Sequence, residues 1–139
     1  MSTHDKHMAQ AEHNEKLLNI IVPSSDNVEF GDWYATVAFY AALHHVEAMI
    51  AIMRPVMYST GSRNAITYTD SPDHAVRNWI IKSRYKSMNY FYSSLYKCSR
   101  TAKYHGYTSD VDKPEDIRKY LDIVKKICGE EKLKKTGKN

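Results

Sequence analysis

Along most of this chain, apolar residues return every three or four positions, the spacing that lines up one face of an α-helix. The two-residue rhythm of a strand is almost absent. The first such segment spans residues 4–22, with Met8, Ala11, Leu18 and Ile21 on one stripe and Leu17 beside it. Pro23 ends it, and the polar run 24–27 reads as a turn. A second helix is predicted over 32–53, from an Asp32 cap after Gly31 to a stop before Pro55. This is the most apolar segment. Ala35, Phe39, Ala42, Val46, Met49 and Met53 form one stripe, and Val37, Tyr40, Ala41 and Ala48 cover much of the remaining circumference. A helix apolar on so many sides must be packed on several of them, so it is expected at the centre.

The periodicity is lost over 54–70, a connection longer than bundle loops usually are, with a short extended piece expected at 65–69. Ser71, Pro72 and Asp73 then supply a capping hydroxyl, a first-turn proline and an acid, so a third helix is expected over 72–83. A fourth, over 86–105, buries Met88, Phe91, Leu95, Cys98 and Ala102 and ends at Gly106. Its Tyr90, Tyr92, Tyr96 and Tyr104 are expected to be half-buried packing residues. A fifth opens at Pro114, carries Ile117, Leu121, Val124 and Ile127, and stops at Gly129. The pattern predicts an all-α protein, an up-and-down antiparallel bundle of about five helices. A single domain, 1–129, is followed by a basic flexible tail, 130–139.

Composition adds little to this picture and removes some alternatives. The 139 residues suffice to bury a core without covalent staples. Cys98 and Cys128 have no CxxC partner or neighbouring ligand, so they are expected reduced and buried. The net charge of +4 is concentrated near the C-terminus, where Lys125, Lys126, Lys132, Lys134, Lys135 and Lys138 face Glu130 and Glu131. That gives a modest positive field, or simply a solvated terminus. The N-terminus carries no secretion-signal pattern, and the apolar stretch 33–53 is interrupted by His44, His45 and Glu47, which are costly at a bilayer centre. A cytoplasmic location and no membrane partner are expected.

Three polar constellations carry candidate chemistry. His44, His45 and Glu47 lie on the second helix, and His44 and Glu47, three apart, share a face that can hold a metal or pass a proton. A metal would need further ligands from His13, His74 or His105. A buried hydrogen-bonded network is the preferred reading, and no metal or cofactor is assigned. Arg100 and His105 close the fourth helix, a cation that can grip phosphate beside an imidazole that can exchange protons. Such a pair suits cleavage of RNA by its own 2′-hydroxyl. Five residues place the two roughly 140° apart around a regular helix, so unwinding beside Gly106 would help them meet. The alternative pairs Arg100 with a carboxylate such as Glu47 and leaves His105 exposed. His74 and Arg77, followed by Arg84 and Lys86, form either a basic patch or a solvated face.

The segments AQAEHNEKLL, DWYATVAFYAALHHVEAMIA, HAVRNWII and YSSLYKCSRTAKYHGY, in this order, resemble a widespread group of small prokaryotic proteins with the HEPN fold (higher eukaryotes and prokaryotes nucleotide-binding). The likeness covers the first four predicted helices. It implies an up-and-down bundle that often dimerises. Its superfamily contains metal-independent ribonucleases, toxin subunits paired with nucleotidyltransferases, and inactive nucleic-acid-binding members. In active members an arginine, commonly followed by Asn, Asp or His, precedes a histidine by four to six residues. Arg100 and His105 fit that spacing, although Thr101 departs from the usual follower. Arg63 and Arg77 are each followed by Asn but lack a histidine at the required distance.

The leading expectation is therefore a HEPN-like protein directed at RNA or a nucleotide, as a metal-independent endoribonuclease of a toxin or defence system. Arg100 would orient the phosphate and His105 act as general acid or base. The resemblance also implies a homodimer and a nucleotidyltransferase-type partner. A second expectation is a non-catalytic module that binds a nucleotide, nucleic acid or partner protein in a groove lined by His45, Glu47, Arg77, Arg100 and Tyr104, with His44 beside it. A third is a helical-bundle metal enzyme using His44 and Glu47.

Overall fold

The computed structural model describes residues 2–22, 30–59, 74–105 and 112–136. They form five helices, α1 (Thr3–Ile20), α2 (Gly31–Ser59), α3 (His74–Arg84), α4 (Lys86–His105) and α5 (Pro114–Lys135), with no strand among the described residues. Side-chain pairings fix the directions. Lys132, Lys125 and Arg118 of α5 meet His4, Glu15 and Asn19 of α1 in reverse order, so those helices are antiparallel. Tyr90 and Phe91 of α4 pack on Tyr120 of α5, while Cys98, two turns further along α4, neighbours Asp112 just before α5. Phe39 of α2 touches Tyr92 and Tyr96 of α4. The result is the expected all-α up-and-down bundle of α1, α2, α4 and α5, with α3 leading into α4 through Tyr85 alone.

α2 is the central element, touching α1, α4 and α5. Ala35, Ala38, Ala41, Ala42 and Ala48 are all fully buried, and these small side chains let three helices approach one axis closely. Phe39, Val46, Met49 and Ile50 fill the spaces between. Each large side chain so buried contributes about 1.5–3 kcal/mol relative to exposure. By length and composition Gly31–Met53 is apolar enough to cross a membrane, and 61% of its most apolar window is buried inside the bundle.

Local signals set most helix ends. The Ser2 hydroxyl accepts from the Asp5 backbone N–H at 3.1 Å and caps α1, and Pro114 takes the first position of α5. Two expected stops fail. α2 runs through Pro55 to Ser59; proline's fixed φ is itself helical, so the residue removes a hydrogen bond without dictating an end. α5 runs through Gly129 to Lys135, so residues 130–135 are helix rather than flexible tail. A helical glycine costs only about 1 kcal/mol relative to alanine. Against that, Lys132 reaches His4 at 3.0 Å and the Met8 sulfur at 3.4 Å, tying the last turns of α5 to α1. Cys98 and Cys128 are buried free thiols, and burial pushes the Cys128 thiol up to about 12. The turn at 24–27, the extended piece at 65–69, the cap Ser71 to Asp73, the stop at Gly106 and residues 137–139 lie outside the described residues.

Candidate functional site

The structure separates the sequence-predicted site residues into two groups. His45, Glu47 and Arg77 are 2%, 4% and 5% exposed, deep in the bundle. Arg100, Tyr104 and His105 are exposed on the last turns of α4. The single groove expected to hold His45, Glu47, Arg77, Arg100 and Tyr104 together therefore does not exist. Helix packing buries the first three, because α2 is enclosed on several sides, whereas the far end of α4 faces outward.

The buried group is a polar network. Arg77 of α3 donates to Glu47 Oε1 at 2.5 Å, so Glu47 pairs with Arg77 and not with Arg100. His45 Nε2 lies 2.9 Å from Glu15 Oε2, and Lys125 donates to Glu15 Oε1 at 3.0 Å. Burial pushes the Glu15 carboxyl up, but the hydrogen bonds from His45 and Lys125 outweigh it and hold the group down at about 2. The Tyr92 hydroxyl is buried against the same region, beside Arg77. His44, half-buried, faces His7 of α1, whose Nδ1 is also 3.0 Å from Glu47 Oε2. Burial depresses the His44 imidazole below its ordinary value.

His7, Glu15, Tyr92 and Lys125 were missed by sequence reasoning. A signal for two of them existed: His7 and Glu15 stand four residues to either side of Ala11, on the face α1 buries. Polar residues on an apolar face mark a buried network. His13, offered as a metal ligand from sequence, is exposed instead.

The exposed group is built by α4 itself. Tyr96, Arg100 and Tyr104 follow one another at four-residue spacing and so stack along one face. The Arg100 guanidinium donates to the Tyr96 hydroxyl at 3.1 Å, with its carbon 5.6 Å from the Tyr96 ring centre and 5.3 Å from that of Tyr104. Lys103 adds a second cation 5.6 Å from the Tyr104 ring. Two open depressions meet at Arg100. One, of about 380 Å³, is lined by Tyr96, Lys97, Arg100, Thr101, Tyr104 and His105. The other reaches across to Phe39 and Tyr40 of α2 and includes Ser99 and Lys103. Among the described residues, neither has an acidic side chain in its lining.

Family models, curated proteins and solved structures give no match to this chain. The site is therefore read from its geometry.

α4 stays helical through His105, so its last described turn is not unwound. Arg100 and His105 both line one depression, with the guanidinium turned to Tyr96 and Tyr104. The tyrosines differ from the uniform half-burial expected. Tyr92 is core, Tyr96 is half-buried, and Tyr90 and Tyr104 are 66% and 64% exposed. Tyr40, counted from sequence with the covered side of α2, is 37% exposed beside Arg100. An exposed surface of cations interleaved with aromatic rings attracts phosphate and offers flat faces to bases.

Proposed function

We propose that this chain is a HEPN-like protein directed at RNA, and that it takes a single-stranded segment on the surface formed by the second half of α4 with Tyr40 of α2. The observation that supports this most is the Arg100 guanidinium held over the Tyr96 and Tyr104 rings in a depression whose described lining has no acidic group. In that reading Arg100 takes a phosphate, Lys97 and Lys103 neutralise its neighbours, and Tyr104 and Tyr40 stack on bases.

His105 adds chemistry to the binding surface. Attack of an RNA 2′-oxygen on the adjacent phosphorus would break the bond to the 5′-oxygen of the next nucleotide, leaving a 2′,3′-cyclic phosphate and a free 5′-hydroxyl. His105 would accept the 2′-hydroxyl proton or donate one to the departing oxygen, and Arg100 would hold the added charge on phosphorus. The proposal thus includes a metal-independent endoribonuclease of a toxin or defence system, in the cytoplasm. The resemblance further supports a homodimer and a nucleotidyltransferase-type partner, and a dimer would carry two such surfaces.

The test uses a fluorescently labelled single-stranded RNA and a chelator throughout. Saturable binding is expected to weaken as salt rises and to fall in Arg100→Ala and Tyr104→Ala. Loss of one stacking ring costs about 1–3 kcal/mol. Cleavage products ending in a cyclic phosphate, abolished in His105→Ala with binding retained, would establish the nuclease form. Binding without products leaves a non-catalytic RNA-binding module. Equal binding by parent and both Arg100 and Tyr104 variants would exclude this surface.

A further inference from the structure

One corner of the buried network is poorly served by hydrogen bonding. His7 Nδ1 lies 2.9 Å from His44 Nδ1 and 3.0 Å from Glu47 Oε2, and His44 Nδ1 is 4.0 Å from that same oxygen. A ring nitrogen has one in-plane position, occupied by a proton or by a lone pair, so it makes one strong hydrogen bond. The two partners of His7 Nδ1 are separated by about 85° as seen from that nitrogen, so it serves only one of them well: its hydrogen bond runs to His44 Nδ1 and leaves Glu47 Oε2 in ion-pair contact alone.

A cation meets all three atoms at once. The point equidistant from them lies about 2.0 Å from each, the length of zinc bonds to imidazole nitrogen and carboxylate oxygen. His44 Nδ1 and Glu47 Oε2 stand nearly opposite across it, so a rotation of the His44 side chain completes tetrahedral ligation. The geometry points to a binding site for a zinc-class divalent transition metal formed by His7 of α1 and His44 and Glu47 of α2. Two imidazoles and one carboxylate are the donors such ions favour over calcium or magnesium. Three protein ligands leave a further position for water, and the partial exposure of His7 and His44, at 15% and 23%, gives that position a route to solvent.

Arg77 completes the arrangement. It binds Glu47 Oε1 at 2.5 Å and leaves Oε2 turned toward the two histidines. A partner on the outer oxygen of a ligating carboxylate fixes its orientation. This site is on α1 and α2, apart from the α4 surface, and does not depend on the RNA reading.

The experiment titrates Zn²⁺, and separately Co²⁺, into the chelator-stripped full chain. One equivalent is expected to bind, with Co²⁺ giving the visible absorption of a low-coordinate nitrogen and oxygen site. His7→Gln and His44→Gln keep side-chain polarity and leave the Glu47–Arg77 pair in place. Each is expected to bind at least about tenfold more weakly, since even outer partners of a ligand are worth that much. His13→Gln is expected to bind like the parent. Circular dichroism of each variant separates lost ligation from lost folding. Absence of stoichiometric binding by the parent, or parent-like binding by folded His7→Gln and His44→Gln, would overturn the assignment.

Discussion

Glu47 and Arg77 are each almost fully enclosed, and neither can reach water if the other is removed. Arg77→Ala leaves a buried carboxylate without its cation and is expected to cost about 3–5 kcal/mol in chemical denaturation. Replacing both by leucine is expected to recover much of that loss, because an enclosed ion pair is weak net stabilisation once both desolvation costs are removed. Glu15 sets a pH dependence. Its carboxyl is held at about 2 against an ordinary value of 4.5. A depressed folded-state value stabilises fully above pH 4.5, and that contribution is lost as pH falls toward 2. Because Lys125 is half exposed, the discounted contribution is on the order of 2 kcal/mol. Glu15→Gln is expected to lose it at pH 7 and to flatten the acid limb of a stability–pH curve. The sequence named His45, Glu47 and Arg77 as functional because their types are unusual, but it could not tell an enclosed network from a groove. That distinction depends on which faces of α2 and α3 are covered, and three-dimensional packing alone decides it.

Helix positions were legible because the three-to-four residue period and the proline and serine caps are local. α4 was read to its ends, and α1 and α5 to within a residue or two of their starts. The overrun of α5 is a local rule outweighed by tertiary contacts. Pro55 and Gly129 are stop signals in an isolated helix, but the extra turn of α5 is secured by Lys132 against His4 and Met8. Gly129 thus sits inside a helix with nothing within 4 Å of a methyl group added there. Gly129→Ala is expected to stabilise the protein by about 0.5–1 kcal/mol, seen as a raised thermal midpoint. An unchanged or lowered midpoint would mean that α5 does not pass through this residue as regular helix.

Across the molecule, the bundle divides its polar residues between an interior network and an outward-facing surface of Arg100, Lys103, His105 and exposed tyrosines. The exposed tyrosines looked like packing residues in sequence because a tyrosine on a helix serves either role, and only the outward rotation of the end of α4 assigns Tyr104 to solvent. Since that surface is exposed, Arg100→Ala and Tyr104→Ala are expected to change stability by no more than about 0.5 kcal/mol, which leaves RNA binding as their readout. The most direct check is a backbone amide NMR titration with a short single-stranded RNA. Perturbations are expected at 96–105 and around Tyr40, with His45, Glu47 and Arg77 silent. Shifts clustered on α1 and α3 instead, or none at saturating RNA, would contradict the assignment of RNA to α4.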